Sequence, residues 1–337
     1  MHVVLDRDQI RSILSLYHLD DLEDFGGIAE GSINTSYWVQ VNGRRYFLRI
    51  TEKKRVDDMI YEKELLLHLD RQGVAVPRLI KNVARGTFTP WASRGRYVSL
   101  FEYMPGRELG VFEVRPRHVT KIGRYAGALH TSTKTFVRTR HNEFNLASLD
   151  AKMRRIQRAL QKKRLAKRFT DDVTALTAEI TRQKKRRLDD LPVGTVHGDL
   201  FIDNAKFRDD DLVGCIDFEM ASTERLVWDV AVTLNDWCWQ PTTKQMGGPA
   251  GRFHLGRVRA FLEAYDRTRP LTKAERRALP HELRLAAARF AITRIVDFEL
   301  KRLPASRRVY KDYRHYTARL EALADGGAEA LVERIFG

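Results

Sequence analysis

The sequence predicts an α+β fold in two unequal parts. A small antiparallel sheet with one main helix spans residues 1–104, and a larger, mostly helical part spans residues 105–337. Three observations carry this. Strand-like runs crowd into the first part, one pair of them joined by Asn42-Gly43. A Pro105-Gly106 break ends the last of those runs, and beyond it apolar residues recur at helical spacing. The exception is the stretch 196–219, where two short strand-like runs flank polar residues in a fixed pattern.

The elements follow in order. Residues 8–18 read as an opening helix, with Ile10, Ile13, Leu14 and Tyr17 on one face. Residues 27–43 read as strand, small-residue loop and strand, and the Asn-Gly turn then leads into a third strand, 45–50. Leu48 and Ile50 flank Arg49 there, so the arginine points to the opposite face of the sheet. The helix 60–71 carries Glu62 on the face of Leu65, Leu66 and Leu69, while Glu64 points elsewhere. A strand over 97–104 runs into the Pro-Gly break. A helix over 117–131 follows, burying Ile122, Tyr125, Ala126 and Leu129.

Composition excludes several function classes. No run of about eighteen apolar residues is present and the start lacks a signal-peptide pattern, so the expected location is the cytoplasm. Cys215 and Cys238 sit in apolar runs, as buried thiols rather than a disulfide or zinc site. The net charge of +16 is concentrated in residues 152–187, where 14 Lys and Arg face 3 Asp and Glu. Apolar residues recur there at helical spacing, without interleaved aromatics or a DNA-binding motif. Two amphipathic helices with solvated basic faces are expected, and a nucleic-acid partner is not.

The chemistry lies in His197-Gly198-Asp199-Leu200-Phe201-Ile202-Asp203-Asn204, then a hairpin around Asp209-Asp210-Asp211, then Ile216-Asp217-Phe218-Glu219. Phosphoryl transfer to an alcohol needs such a set: a carboxylate to accept the proton, and an Asn and an Asp to hold magnesium on the phosphates. The hairpin brings Asn204 and Asp217 together. Ordinary turn residues are the bland alternative, which the second aspartate on the following strand makes the weaker one. No Gly-rich run ends in Gly-Lys-Ser/Thr, so a P-loop is excluded.

This pattern resembles the protein-kinase-like superfamily of aminoglycoside phosphotransferases and choline kinases. The resemblance implies a two-lobed fold hinged at 101–106, using ATP and Mg2+. It implies Asp199 as catalytic base and Asn204 and Asp217 as magnesium ligands. Nucleotide would be met by Gly31, Ser32 and Asn34 of the small-residue loop, by the Arg49–Glu62 ion pair, and by backbone of Glu102, Tyr103 and Met104. His197 and Asp229 would support the catalytic loop, and His130 would be a packed residue.

A closer resemblance is carried by 25–31, Ile33-Asn34, 230–238 with its Leu-Asn-Asp-Trp-Cys run, 261–272 and 283–294. These are similar to the second type of homoserine kinase, which phosphorylates the side-chain hydroxyl of L-homoserine on the way to threonine. Gly198 stands where that family commonly has Ala, and Glu219 where it has Tyr. For a zwitterionic acceptor, Asp236 and Glu219 are candidates for the ammonium, Arg289 and Arg294 for the carboxylate. The alternatives are another kinase of the superfamily, for an amino alcohol, sugar or aminoglycoside, and a non-catalytic polyanion-binding protein of the same fold.

Overall fold

The structure, a computed structural model, describes residues 4–28, 34–52, 54–91, 96–186, 190–242, 249–301 and 310–337. Helix α1 (Arg7–Ser15) starts at Asp6, whose side chain caps the Gln9 amide. Strands β1 (Leu22–Ile28), β2 (Thr35–Val41) and β3 (Arg44–Glu52) form an antiparallel meander. Asn42 and Gly43 turn β2 into β3 with φ of 50° and 71°, the left-handed pair that a two-residue hairpin requires. Helix α2 (Val56–Arg71) crosses back, and β4 (Leu79–Ile80), β5 (Thr89–Pro90) and β6 (Arg96–Glu102) complete the sheet. Its order is β1-β2-β3-β6-β4, with β5 also on β6.

Strand alternation divides this sheet chemically. Val39, Val41, Leu48, Ile50, Val98 and Leu100 are buried with Ile10, Ile13, Leu14 and Tyr17 of α1. The other face puts Phe47, Arg49 and Phe101 toward α2, whose Tyr61, Leu65, Leu66 and Leu69 join the main core. Arg49 is therefore turned toward Glu62 by the same parity that buries its neighbours.

After Glu102 the chain is mostly helical. Helix α3 (Pro116–Ser132) leads to α4 (Leu146–Gln161) and α5 (Thr170–Lys184). The last two bury Met153, Ile156, Val173, Leu176 and Ile180, and most of their Lys and Arg side chains lie outward. Short strands β7 (Val193–Val196), β8 (Ala205–Arg208), β9 (Asp211–Cys215) and β10 (Ser222–Arg225) frame the 197–204 and 216–221 loops, pairing as β7–β10 and β8–β9.

Helix α6 (Leu226–Trp237), the hairpin of β11 (Trp239–Pro241) and β12 (Gly251–Phe253), and helix α7 (Leu255–Thr268) follow. Then come α8 (Lys273–Arg294), α9 (Arg314–Ala322) and α10 (Gly327–Phe336). Helix α3 lies so close to α7 that a Cβ on Gly123 would fall 2.5 Å from the Phe261 carbonyl oxygen. Helices α6 and α8 form the centre of the larger lobe, and nearly every residue of α6 is buried. Among the described residues, no helix is long and apolar enough to cross a membrane. Both cysteines are buried free thiols.

Candidate active site

The 197–204 loop leaves β7 and the 216–221 loop enters β10, so pairing of those strands brings the loops side by side. A second tie is the Ile216 amide, which donates to the Asn204 carbonyl at 2.8 Å. Asp229, in the first turn of α6, is fully buried and receives the His197 amide at 3.0 Å and the Gly198 amide at 2.8 Å. His130 Nε2 reaches the same carboxylate at 3.0 Å and its Nδ1 meets the Tyr265 hydroxyl at 2.7 Å. His197 Nε2 donates to the Ile216 carbonyl at 3.1 Å. Both histidines are buried within this network.

Asn204 Nδ2 donates to the Asp199 carbonyl at 2.8 Å, which leaves Oδ1 as the outward acceptor. Asp217 adopts a left-handed conformation, φ 62°, uncommon for a non-glycine residue. Asn204 and Asp217 thus present oxygen donors, the chemistry that a hard cation such as Mg2+ takes. Burial pushes the Asp199 carboxyl up to about 7, Asp203 and Asp217 add to it, and Arg289 opposes it.

Opposite this loop, Arg49 is paired with Glu62, as strand parity and helix face predict. Burial works against the Glu62 carboxylate, but Arg49, Lys63 and Lys54 outweigh it and hold its pKa well below the usual range. Lys54 Nζ lies 3.5 Å from Glu62 and 3.6 Å from Glu219, and Arg49 Nη1 lies 3.9 Å from Asp217. Burial, with Arg49 adding, brings the Lys63 ammonium down to about 7. Glu64 turns away and pairs with Arg138.

Asn34 donates its side chain to Glu219 Oε2. Gly31 and Ser32 lie outside the described residues. At the end of β6, the Glu102 amide donates to the Arg78 carbonyl at 2.9 Å and the Tyr103 amide to the Arg45 carbonyl at 3.3 Å. Met104 packs over Gly214, where a Cβ would fall 2.8 Å from its methyl.

On the acceptor side, Glu219 is already held by Lys54 and Asn34. Asp236 Oδ2 accepts the Ile202 amide at 2.9 Å. Arg294 Nη1 donates to the Asp312 carbonyl at 2.7 Å and its guanidinium lies over the Tyr316 ring. Arg289 is buried between Phe144 and Phe290.

The sequence reading missed Lys54, Asp203, Lys311 and Arg140. Asp203 sits inside the motif itself, one residue before Asn204, and faces Lys311 at 3.9 Å. Arg140 joins the two loops' surroundings to α2 through Asp58, from a connecting segment with no motif to flag it.

A two-lobed fold of this topology, with these loops side by side, is that of the kinase-like phosphotransferases. Residues 24–271 match the phosphotransferase enzyme family, and the chain belongs to it. It is a phosphotransferase with an alcohol group as acceptor, and its substrate is a small molecule. Curated relatives include proteins named homoserine kinase. That of Gluconacetobacter diazotrophicus is 35% identical over 86% of this chain and 86% of its own. That of Methylobacterium radiotolerans is 32% identical over 92% of both chains. Solved structures of similar fold include an amicoumacin kinase bound to AMP-PNP and Ca2+, at TM-score 0.68 and 16% identity, covering 98% of this chain and 94% of that one. A choline kinase from Cryptosporidium parvum has TM-score 0.61 and 14% identity, covering 94% of each chain.

Proposed function

We propose that the protein transfers the γ-phosphoryl group of ATP to the side-chain hydroxyl of L-homoserine, giving O-phospho-L-homoserine and ADP. The observation that supports this best concerns the Leu-Asn-Asp-Trp-Cys run at 234–238, the segment most typical of homoserine kinases. It is built into the catalytic loop: Asp236 accepts the Ile202 amide at 2.9 Å and Trp237 Nε1 donates to the Leu200 carbonyl at 3.0 Å. The segment that resembles those kinases therefore shapes the loop that would meet the acceptor.

In this reading Asp199 orients the acceptor hydroxyl, which attacks the γ-phosphorus as the bond to the ADP oxygen breaks. The proton passes to Asp199 late, as suits a loose transition state. Its raised pKa lies near neutrality, where a general base is effective. Arg49 and Lys54 would exchange their carboxylate partners for phosphate oxygens. Asn204 and Asp217 would hold Mg2+, which neutralises phosphate charge when bound.

The test is Mg2+-dependent ADP release with L-homoserine, beside choline, L-serine, an aminoglycoside and a methylthio-sugar. A kcat/KM for homoserine well above all others is expected. Turnover of a more cationic acceptor with none of homoserine would move the assignment to another kinase of the superfamily. In parallel, Asp199→Asn should lower kcat by at least about 100-fold with nucleotide binding kept.

A further inference from the structure

Four side chains on the acceptor side carry charge suited to a zwitterion, and three have their partners within the protein. Glu219 is held by Lys54 and Asn34, Asp236 by the Ile202 amide, and Arg294 by the Asp312 carbonyl. Arg289 differs. It projects from α8, is only 4% exposed, and is clamped between Phe144 and Phe290, its guanidinium carbon 3.9 and 3.7 Å from the two ring centres. No N–H of Arg289 makes a hydrogen bond to any described residue, and its Nε is fully buried without a partner.

The aromatic faces compensate part of the desolvated charge but supply none of the in-plane acceptors that a guanidinium fork needs. Buried charges without acceptors are costly, and proteins retain them where a ligand provides the missing group. The carboxylate that acts most strongly on Arg289 is Asp199, yet the two form no ion pair. The Tyr316 hydroxyl, also buried and without a partner, feels the same charges of Asp199 and Arg294. Phe201 of the catalytic loop packs tilted against Phe290 at 4.8 Å between centroids, and Phe290 stacks on Tyr316 at 4.9 Å, which sets this wall against the loop.

We propose that Arg289 is the acceptor-specificity residue: its guanidinium receives a carboxylate of the acceptor in a bidentate pair, with Phe144 and Phe290 fixing the plane so that the acceptor's hydroxyl reaches Asp199. The class of substrate is an alcohol that carries a carboxylate a short hydrocarbon spacer away. This rests on the phosphotransferase reading of the same site and narrows it. It also separates this enzyme from kinases of purely cationic acceptors, for which a buried, unpaired arginine beside the reacting hydroxyl would be repulsive.

The experiment compares L-homoserine with 3-aminopropan-1-ol, which lacks only the carboxylate, in wild type, Arg289→Met and Arg289→Lys. In the wild type, homoserine is strongly preferred. In Arg289→Met the ratio of kcat/KM values should fall about 100-fold, chiefly through KM for homoserine, because a site built for a polar group discriminates steeply when the pair is intact. Lysine restores the charge but not the fork, so part of the ratio should return. ATP affinity, followed by fluorescence titration, reports whether each variant is folded.

An unchanged ratio in a folded Met variant overturns the role of Arg289 while leaving the homoserine reading standing. If the wild type prefers another hydroxy acid, such as glycerate, and the Met variant loses that preference, the homoserine reading fails and Arg289 is upheld. No preference for any carboxylate-bearing alcohol in the wild type overturns both. Should the Met variant not bind ATP, Arg289→Gln, closer in shape and polarity, decides by the same ratio.

Discussion

The Asp229 carboxylate binds the Gly198 amide on one oxygen at 2.8 Å, and the other oxygen takes the His197 amide at 3.0 Å. A single buried side chain on α6 thus fixes the amides of the two residues that precede Asp199. Asp229→Asn replaces one acceptor by an NH2 group that must face an N–H or the His130 ring. We expect a loss of about 2 kcal/mol in stability and at least a tenfold drop in kcat. Urea unfolding and steady-state kinetics measure both, and a folded variant with unchanged kcat would remove Asp229 from loop positioning.

Gly198 occupies φ 79°, and a Cβ there would fall 2.8 Å from the Met220 carbonyl oxygen. That explains why glycine suits this position: the 216–221 loop leaves no space for a side chain. Gly198→Ala should cost about 1–2 kcal/mol from the left-handed backbone alone, plus whatever shift Met220 makes. The melting temperature should drop accordingly. An alanine variant as stable as the wild type would mean that the two loops separate readily.

Glu282 on α8 is fully buried beside Arg225, whose Nη1 lies 3.0 Å away, and burial pushes its carboxyl up to about 7 against that attraction. The folded state therefore binds this proton more tightly than the unfolded chain, whose value is near 4.5. Stability supplied by the neutral acid is fully present below about pH 4.5 and is lost as pH rises toward 7, then levels off. Glu282→Gln should remove that slope, and Arg225 keeps Glu224 at 3.3 Å. Melting curves from pH 5 to 8 compare the two, and parallel profiles would exclude Glu282 as the source.

Much of the site was legible because its chemistry fixes residue types at fixed offsets. Asp199, Asn204 and Asp217 come to adjoining loops through a hairpin that the alternation at 205–216 already marks. The Arg49–Glu62 pair followed from strand parity and helix face, both local periodicities. Lys54, Lys311 and Arg140 were not legible, since each acts on a partner distant in sequence from a segment without periodicity. Glu219 read as a free acceptor for an ammonium because its partners Lys54 and Asn34 lie in the other lobe. The free character of Arg289 was equally invisible, because the absence of a partner is a property of packing.

Arg140 supplies the last test. From the segment between α3 and α4, its Nε meets Asp58 of α2 at 2.8 Å, and its Nη1 donates to the carbonyls of Glu219 at 2.7 Å and Ala221 at 3.1 Å. Its own backbone is fixed by Thr223, whose amide donates to the Arg140 carbonyl at 2.7 Å. Asp58 precedes Glu62 by one helical turn, so the guanidinium joins the helix carrying Glu62 to the loop carrying Asp217.

Arg140→Ala leaves two half-buried carbonyls and a carboxylate without their donor, a cost of at least about 2 kcal/mol. Because the two tied elements carry Glu62 and Asp217, which are proposed to serve the nucleotide site, KM for ATP should rise about tenfold or more, with a smaller rise for the acceptor. Asp58→Asn cuts only the α2 limb and should give an intermediate KM for ATP, with the loop carbonyls still held. A KM for ATP that stays at the wild-type value in both variants would show that the two elements keep their relation without this residue, leaving Arg140 a purely local support of the 219–221 turn.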